Sequence, residues 1–382
     1  MSEYQYYEFQ AIDRPLTEQE MRTLRAYSTR ATITPTLFTN HYEWGSFKGD
    51  PAAWMEKYFD AFFYFANWHT YELMFRLPRG VLELDLAKQY CRGGVATARS
   101  KEDFVILEFL SQDEAGGDGS DDGSGWLSSL VPLRADLAGG DYRMLYMAWL
   151  RSAQIRALDD EVPEPTVPAG LGTLTGSLKT FADFLRLDQD LLAAAAVAST
   201  AQEEAPSDFE VARWVTALPE SDKTAWLLRL ARGQAAHLRM ELLKTLRASQ
   251  GRVGPPPGPS RSVGQLLETA QQHAEARKRR EAERAARERQ RCEQEAAAAR
   301  ENYLAILAKR VPEAWRNVDS LIATKRPGDY EAAVRLLKDL AELGDKRGRQ
   351  AEVREQLERL RQEHARKPTL LKRLRAAGLL TE

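Results

Sequence analysis

Cysteine is nearly absent from this chain. Only Cys91 and Cys292 occur among 382 residues, far apart and with no C-x-x-C pair. That excludes a disulfide framework and a cysteine-built zinc module, and it leads us to expect a reducing, cytoplasmic setting. Histidine is also scarce, with five residues in all. No stretch approaches the roughly 18 consecutive apolar residues that a membrane-spanning helix needs. The opening MSEYQYYEFQ lacks the basic-then-apolar pattern of a secretory signal. Phosphate-cradling loops, H-E-x-x-H zinc helices and dinucleotide fingerprints are missing too. Gly123-Ser124-Gly125 has no apolar strand before it, so it does not form a nucleophile elbow. The sequence therefore names no reaction and no cofactor.

What is present is apolar content of 43% with 13 Phe, 13 Tyr and 8 Trp, ample for packed cores. The formal net charge of -2 conceals an asymmetry, because the chain from Val263 onward is net basic and the rest is acidic. The pattern predicts an α+β head over 1–112, a small sheet with helices. An acidic Gly/Ser loop follows at 113–126 and a helical domain at 127–250. A Pro/Gly linker at 251–262 leads to a long charged helix and a C-terminal helical hairpin over 263–382. The fold is expected to be mainly α overall.

Within the head, YQYYEFQAID reads as a strand. Thr17-Glu18-Gln19-Glu20 is a capping box that opens a helix. ATITPTLFTNHYEW is β-branched and aromatic, and Pro35 confines it to an edge or splits it. Asp50-Pro51 starts a helix that we extend to Asn67, so that FDAFFYFANW is read as buried helix. TYELMFRLP and DFVILEFLS are further strands, with a short helix near 82–91 between them. Trp54, Tyr58, Phe62, Phe63, Tyr64 and Phe65 are read as core rather than as the lining of a ligand cavity. A second capping box stands at Ser207-Asp208-Phe209-Glu210, and one helix is expected from about Asp222 to Ala248.

Two kinds of candidate site emerge. His41 and Glu43 share one strand face, and with His69 and Cys91 they could converge on a metal in the folded domain. The H-x-E spelling lacks the P-C-x-x-C of a zinc deaminase. The bland alternative is a set of exposed polar residues on an edge strand. The loop Asp118 to Gly123 imitates the start of a calcium loop, but its twelfth position is Ser129 instead of a bidentate Glu.

The second kind is cationic. EARKRREAERAARERQRCEQEAAAARENY is built from strong helix formers with alternating charge, so it is a helix. A 3-4 spaced seam runs through Ala282, Ala285, Arg289, Cys292, Ala296, Ala299, Tyr303 and Ile306. Its small residues make a weak coiled coil, and a solvated helix is the simpler reading. Arg277, Lys278, Arg279 and Arg280 form one basic cluster. Arg366, Lys367, Lys372, Arg373 and Arg375 form another, around a stripe of Leu370, Leu371 and Leu374. Interleaved glutamates and missing aromatics argue against nucleic acid at the first cluster. For the second, a terminal helix docked on its neighbours is the simpler reading.

The opening YQYYEFQAIDRPLTEQEM, followed by TRATITPTLFTNHYEWGSFKGDP, resembles that of a bacterial protein family with no established activity. The segment DYEAAVRLLKDLAELGDKRGRQAEVREQLERLRQEHARKPTLLKRLRAAGL is similar to the helical tail of bacterial SWIM zinc-finger-type proteins. Their zinc motif is missing here, so neither zinc nor their nucleic-acid role carries over. The expected function is a bacterial adaptor or scaffold that binds a protein partner through helices. The alternatives are nucleic-acid association through the basic C-terminal helices, and an enzyme or metal-binding site in the head.

Overall fold

A computed structural model of the chain describes residues 4–112, 122–201, 207–231, 238–249 and 261–380. It divides into two compact units, Met1–Arg277 and Lys278–Glu382.

The first unit is organised by a seven-stranded sheet. Its strands are β1 Gln5–Gln10, β2 Thr32–Ile33, β3 Leu37–Tyr42, β4 Ala61–Ala66, β5 Thr70–Pro78, β6 Ala96–Lys101 and β7 Phe104–Gln112. The order is β2-β3-β1-β4-β5-β7-β6, and every pairing is antiparallel. Thr17 and Glu20 close their capping box on α1, Glu18–Arg25. Pro35 falls between β2 and β3 at the sheet edge, where its missing N–H costs no ladder bond.

The helix begun at Asp50 and Pro51 stops early. Helix α2 is Pro51–Lys57, and the expected continuation to Asn67 is instead β4. The physical reason is the two-residue period of a strand. Phe62 points to one face and packs with Phe9, Phe38, Trp54 and Phe59. Phe63 and Phe65 point to the other and pack with Tyr71, Leu73 and Phe109. A central strand covered on both faces carries large side chains at consecutive positions, which mimics a buried helix in sequence. The core assignment of these aromatics holds, although their spacing is not helical. Strand β6, ATARSK, was not anticipated. It is short and polar, and pairing with β7 defines it.

A second layer of helices covers the Phe63 face. These are α3 Leu84–Tyr90, α4 Trp126–Leu130, α5 Pro132–Ala138, α6 Arg143–Gln154, α7 Gly176–Leu185 and α8 Gln189–Ala196. Leu127, Leu145, Trp149 and Phe181 share one core with the strands. The boundaries read at 112 and 127 thus mark no break in packing, because an amphipathic sheet face needs a helix layer to leave water.

Ser207 and Glu210 cap α9, Asp208–Ala217. The helix expected from Asp222 to Ala248 is described as α10 Glu220–Ala231 and α11 Leu238–Ser249, with 232–237 outside the described residues. Most of the Gly/Ser loop, and linker residues 251–260, also lie outside them. So does the calcium-like stretch as far as Asp121, while Ser129 sits in α4 and donates to Gly125 O.

Helix α12, Val263–Ala308, runs 46 residues, about 70 Å. Its root is held firmly. Arg261 donates two hydrogen bonds to Glu164, at 2.8 and 2.9 Å, and Tyr146 donates to the same carboxylate. Val263, Leu266 and Ala270 enter the core.

The second unit contains the end of α12 with α13 Val311–Ala323, α14 Pro327–Lys346, α15 Gln350–Glu363 and α16 Pro368–Ala376. Leu304, Leu307, Val318, Ile322, Leu337, Leu340, Leu357, Leu360, Leu370 and Leu374 close its core. This exceeds the hairpin expected from sequence. A Cβ on Gly344 would lie 2.6 Å from Val353, so α14 and α15 approach too closely there for a larger residue. Among the described residues no helix is long and apolar enough to cross a membrane.

Candidate helical docking site

The predicted metal ligands reach the same end of the sheet without converging. His41 on β3 pairs with Tyr6 of β1, is exposed, and stacks on Tyr4 at 6.3 Å between centroids. Glu43 follows β3 and is exposed. His69 sits in the β4–β5 turn, with φ +63°. Gln5 pairs with Tyr42 on one side and Ala66 on the other, so β1 separates the two histidine-bearing strands by two strand spacings, about 10 Å. Cys91 caps α3, and burial pushes its thiol up to about 12, away from the thiolate form a metal requires. Among the described residues no group of three or more His, Cys, Asp or Glu is arranged to hold a metal.

The sheet does carry one perturbed carboxylate. Register places Tyr7, Tyr64 and Glu72 in a row across β1, β4 and β5, with Glu108 diagonal to Glu72 on β7. Burial, followed by the charge of Glu108, raises Glu72 to about 7. The folded state therefore holds a proton between about pH 4.5 and 7 that the unfolded chain releases. Stability falls as pH rises through that window, and the penalty is complete above it. Glu72→Gln is expected to stabilise the protein by about 1–2 kcal/mol at pH 8, with no gain at pH 4, in urea titrations at both values.

The cationic clusters divide by what they touch. Arg277 is clamped on Asp190, with Nη2 at 2.8 Å. Lys367 donates to Ile322 O at 3.1 Å, and Arg373 reaches Pro327 O and Glu331. These three cations hold the fold together. Arg279 pairs with Glu283 at 3.2 Å. Lys278, Arg280, Arg366, Lys372 and Arg375 are exposed. Leu370 and Leu374 are buried in the second core, so α16 is docked on its neighbours.

The unforeseen feature is a groove in the second unit, between the end of α12, α13 and α14. It has a volume of about 360 Å³ and is lined by Tyr303, Ile306, Leu307 and Leu336, with Arg310 and Glu313 among its polar residues. The long helix turns Leu304 and Leu307 into the core and leaves Tyr303 40% and Ile306 59% exposed. These last two are the final positions of the 3-4 seam. The seam residues from Ala282 to Ala299 are exposed as well.

One lining residue, Tyr303, is held by polar partners. Tyr303 donates to Asp339 Oδ2 at 2.8 Å. Arg300 lies 2.6 Å from Asp339 and over the Tyr303 ring at 5.4 Å. A shallow notch of mixed polarity, with Arg310, Glu313 and Asn317 beside Ile306 and Leu336, next to an exposed helix face, can receive a side chain of another helix. The sequence marked Tyr303 and Ile306 as seam residues. It could not reveal that the tail would turn the neighbouring leucines inward and leave these two open. A further exposed apolar set, Phe209, Leu227, Leu228 and Leu230, lies on α9 and α10 of the first unit.

No family model, no curated protein and no solved structure matches this chain.

Proposed function

We propose that the protein is a non-enzymatic adaptor of the bacterial cytosol that binds a protein partner through helix-to-helix contacts. The supporting observation is the groove at Tyr303, Ile306 and Leu336, an apolar surface left open beside a solvated helix. Ile306 projects outward, so it can be changed without disturbing the core. Ile306→Glu is expected to leave the melting temperature within about 1 °C of the parent, since surface substitutions rarely move stability by more than ~0.5 kcal/mol. The same change should weaken the partner complex at least about tenfold, as expected when a charge enters an apolar contact. Co-purification from the native host, parent beside variant, checks this. Undiminished capture of the same partner would remove the groove from the adaptor reading.

A second reading, nucleic-acid association, rests on the exposed Lys278, Arg280, Arg366, Lys372 and Arg375. It requires an affinity that falls steeply with salt. Absent or salt-independent retention on a nucleic-acid column would sink it.

A further inference from the structure

Building on the second reading, that of nucleic-acid association, we infer that the phosphate backbone of a nucleic-acid duplex binds one end of the second unit, where the α13–α14 turn, the α15–α16 turn and α16 meet. Side-chain contacts bring these segments together. Lys367 donates to Ile322 O at 3.1 Å, and Arg373 reaches both Pro327 O and Glu331. The assembled end carries an excess of cations. Asp319 to Glu331 and His364 to Leu380 together hold seven Lys or Arg and three carboxylates. Glu331 is taken by Arg373, which leaves Asp319 and Asp329. From His364 to Leu380 there is no acidic residue. The charge around the α14–α15 turn, at the other end of α14, is nearly balanced. There, Asp345 to Arg359 intersperses five cations with four carboxylates.

Lys325, Arg326, Arg366, Lys372 and Arg375 are exposed and make no ion pair among the described residues. Lys372 and Arg375, three residues apart, share one face of α16. Lys325 adds a backbone argument. It follows the C-cap Thr324 with φ +59°, in the left-handed region that favours glycine. A long cation stands where the helix stop itself needs no side chain.

The same surface lacks what other partners use. From Val311 onward, no large apolar side chain of the described residues is exposed. A bilayer surface or a protein interface draws on such an anchor. No exposed aromatic offers a base-stacking platform, which disfavours a single strand. Contact is therefore through charge, and the duplex, with two strands of phosphates, presents the denser line of it.

The probes are short labelled DNA duplexes of two unrelated sequences, titrated against full-length protein by fluorescence anisotropy over a range of salt. Both should bind equally, with a log–log salt slope of about -4 to -5 when five cations engage. Lys372→Gln/Arg375→Gln should weaken binding at least about tenfold and reduce the slope by about 2. Arg347→Gln/Arg354→Gln removes the same charge beyond the far end of α14, about 30 Å along that helix, and should cost less than about twofold. Lys325→Gly suits its backbone. It should hold or raise the melting temperature while weakening binding several-fold, so the loss cannot come from unfolding.

Absent or salt-independent binding overturns the inference. So does an equal loss in Arg347→Gln/Arg354→Gln, because net charge and not this end would then be responsible. Polyglutamate or phosphatidylserine vesicles that compete as well as duplex would assign the surface to an acidic protein or a membrane. Tighter binding of a single strand would remove the duplex. Binding lost only on Lys278→Gln/Arg280→Gln would keep the nucleic-acid reading, move it to α12 and overturn the assignment to this end. The adaptor reading is tested separately, at Ile306.

Discussion

Replacing Asp60 by alanine is expected to destabilise the protein by about 3–5 kcal/mol, the cost of leaving a buried charge without its partner. The Asp60 side chain is 1% exposed, and it ties together segments distant in sequence. Its Oδ1 accepts from Arg76 Nε at 3.1 Å and Nη2 at 2.7 Å. Its Oδ2 accepts from the backbone N–H groups of Ile12 at 2.7 Å and Asp13 at 2.8 Å. Asp13 in turn receives Arg134 Nη2 at 2.7 Å, while Arg134 Nε donates to Arg76 O at 2.8 Å. The carboxylate thereby joins the end of β1 to β5 and, through Arg134, to α5. Alanine would strand the Arg76 guanidinium, which is itself buried. It would also strip two backbone donors of their acceptor. Adding Arg76→Met should recover part of the loss, since removing both members of a buried pair costs less than removing one. Urea denaturation followed by tryptophan fluorescence measures both variants. A cost below about 1 kcal/mol for Asp60→Ala would mean that water replaces the bonds.

Phe62→Ala and Phe63→Ala are each expected to cost about 3–5 kcal/mol, the usual range for deleting a buried ring. Both side chains are fully buried, but in different places. Phe62 sits among Phe9, Trp54 and Phe59 on the α2 side of the sheet, with its ring centroid 4.4 Å from that of Phe9. Phe63 faces the helix layer and stacks on Trp126 at 6.0 Å. Tyr64, the next residue, is only half-buried, so Tyr64→Ala should cost clearly less. Thermal unfolding of the three variants tests the order. A small cost at either phenylalanine would contradict a strand buried on both faces.

Much of the local structure was legible in the residues. Thr17 with Glu20, Ser207 with Glu210, and Asp50 with Pro51 each place a helix start, because capping is a contact between near neighbours. The charged composition of 275–303 sufficed for a helix, since propensity and i,i+4 pairing act along one segment. The candidate site was only half legible. Its seam could be read by spacing, but its groove could not.

What the sequence alone determined, then, is the sheet-bearing N-terminal region, the helical remainder, several helix starts and the long charged helix. All of these rest on interactions within a few residues. Tertiary structure decided that Ala61–Ala66 is a strand, because only neighbours on both faces distinguish a buried strand from a buried helix. It also decided that Arg277, Lys367 and Arg373 act within the fold while Lys278 and Arg280 face solvent, since a charge is committed only when a distant chain segment brings its partner. Finally it turned Leu304 and Leu307 inward and left Tyr303 and Ile306 open. A helix of mixed character has several faces it could bury, and the neighbours that α13 and α14 supply select which one leaves water.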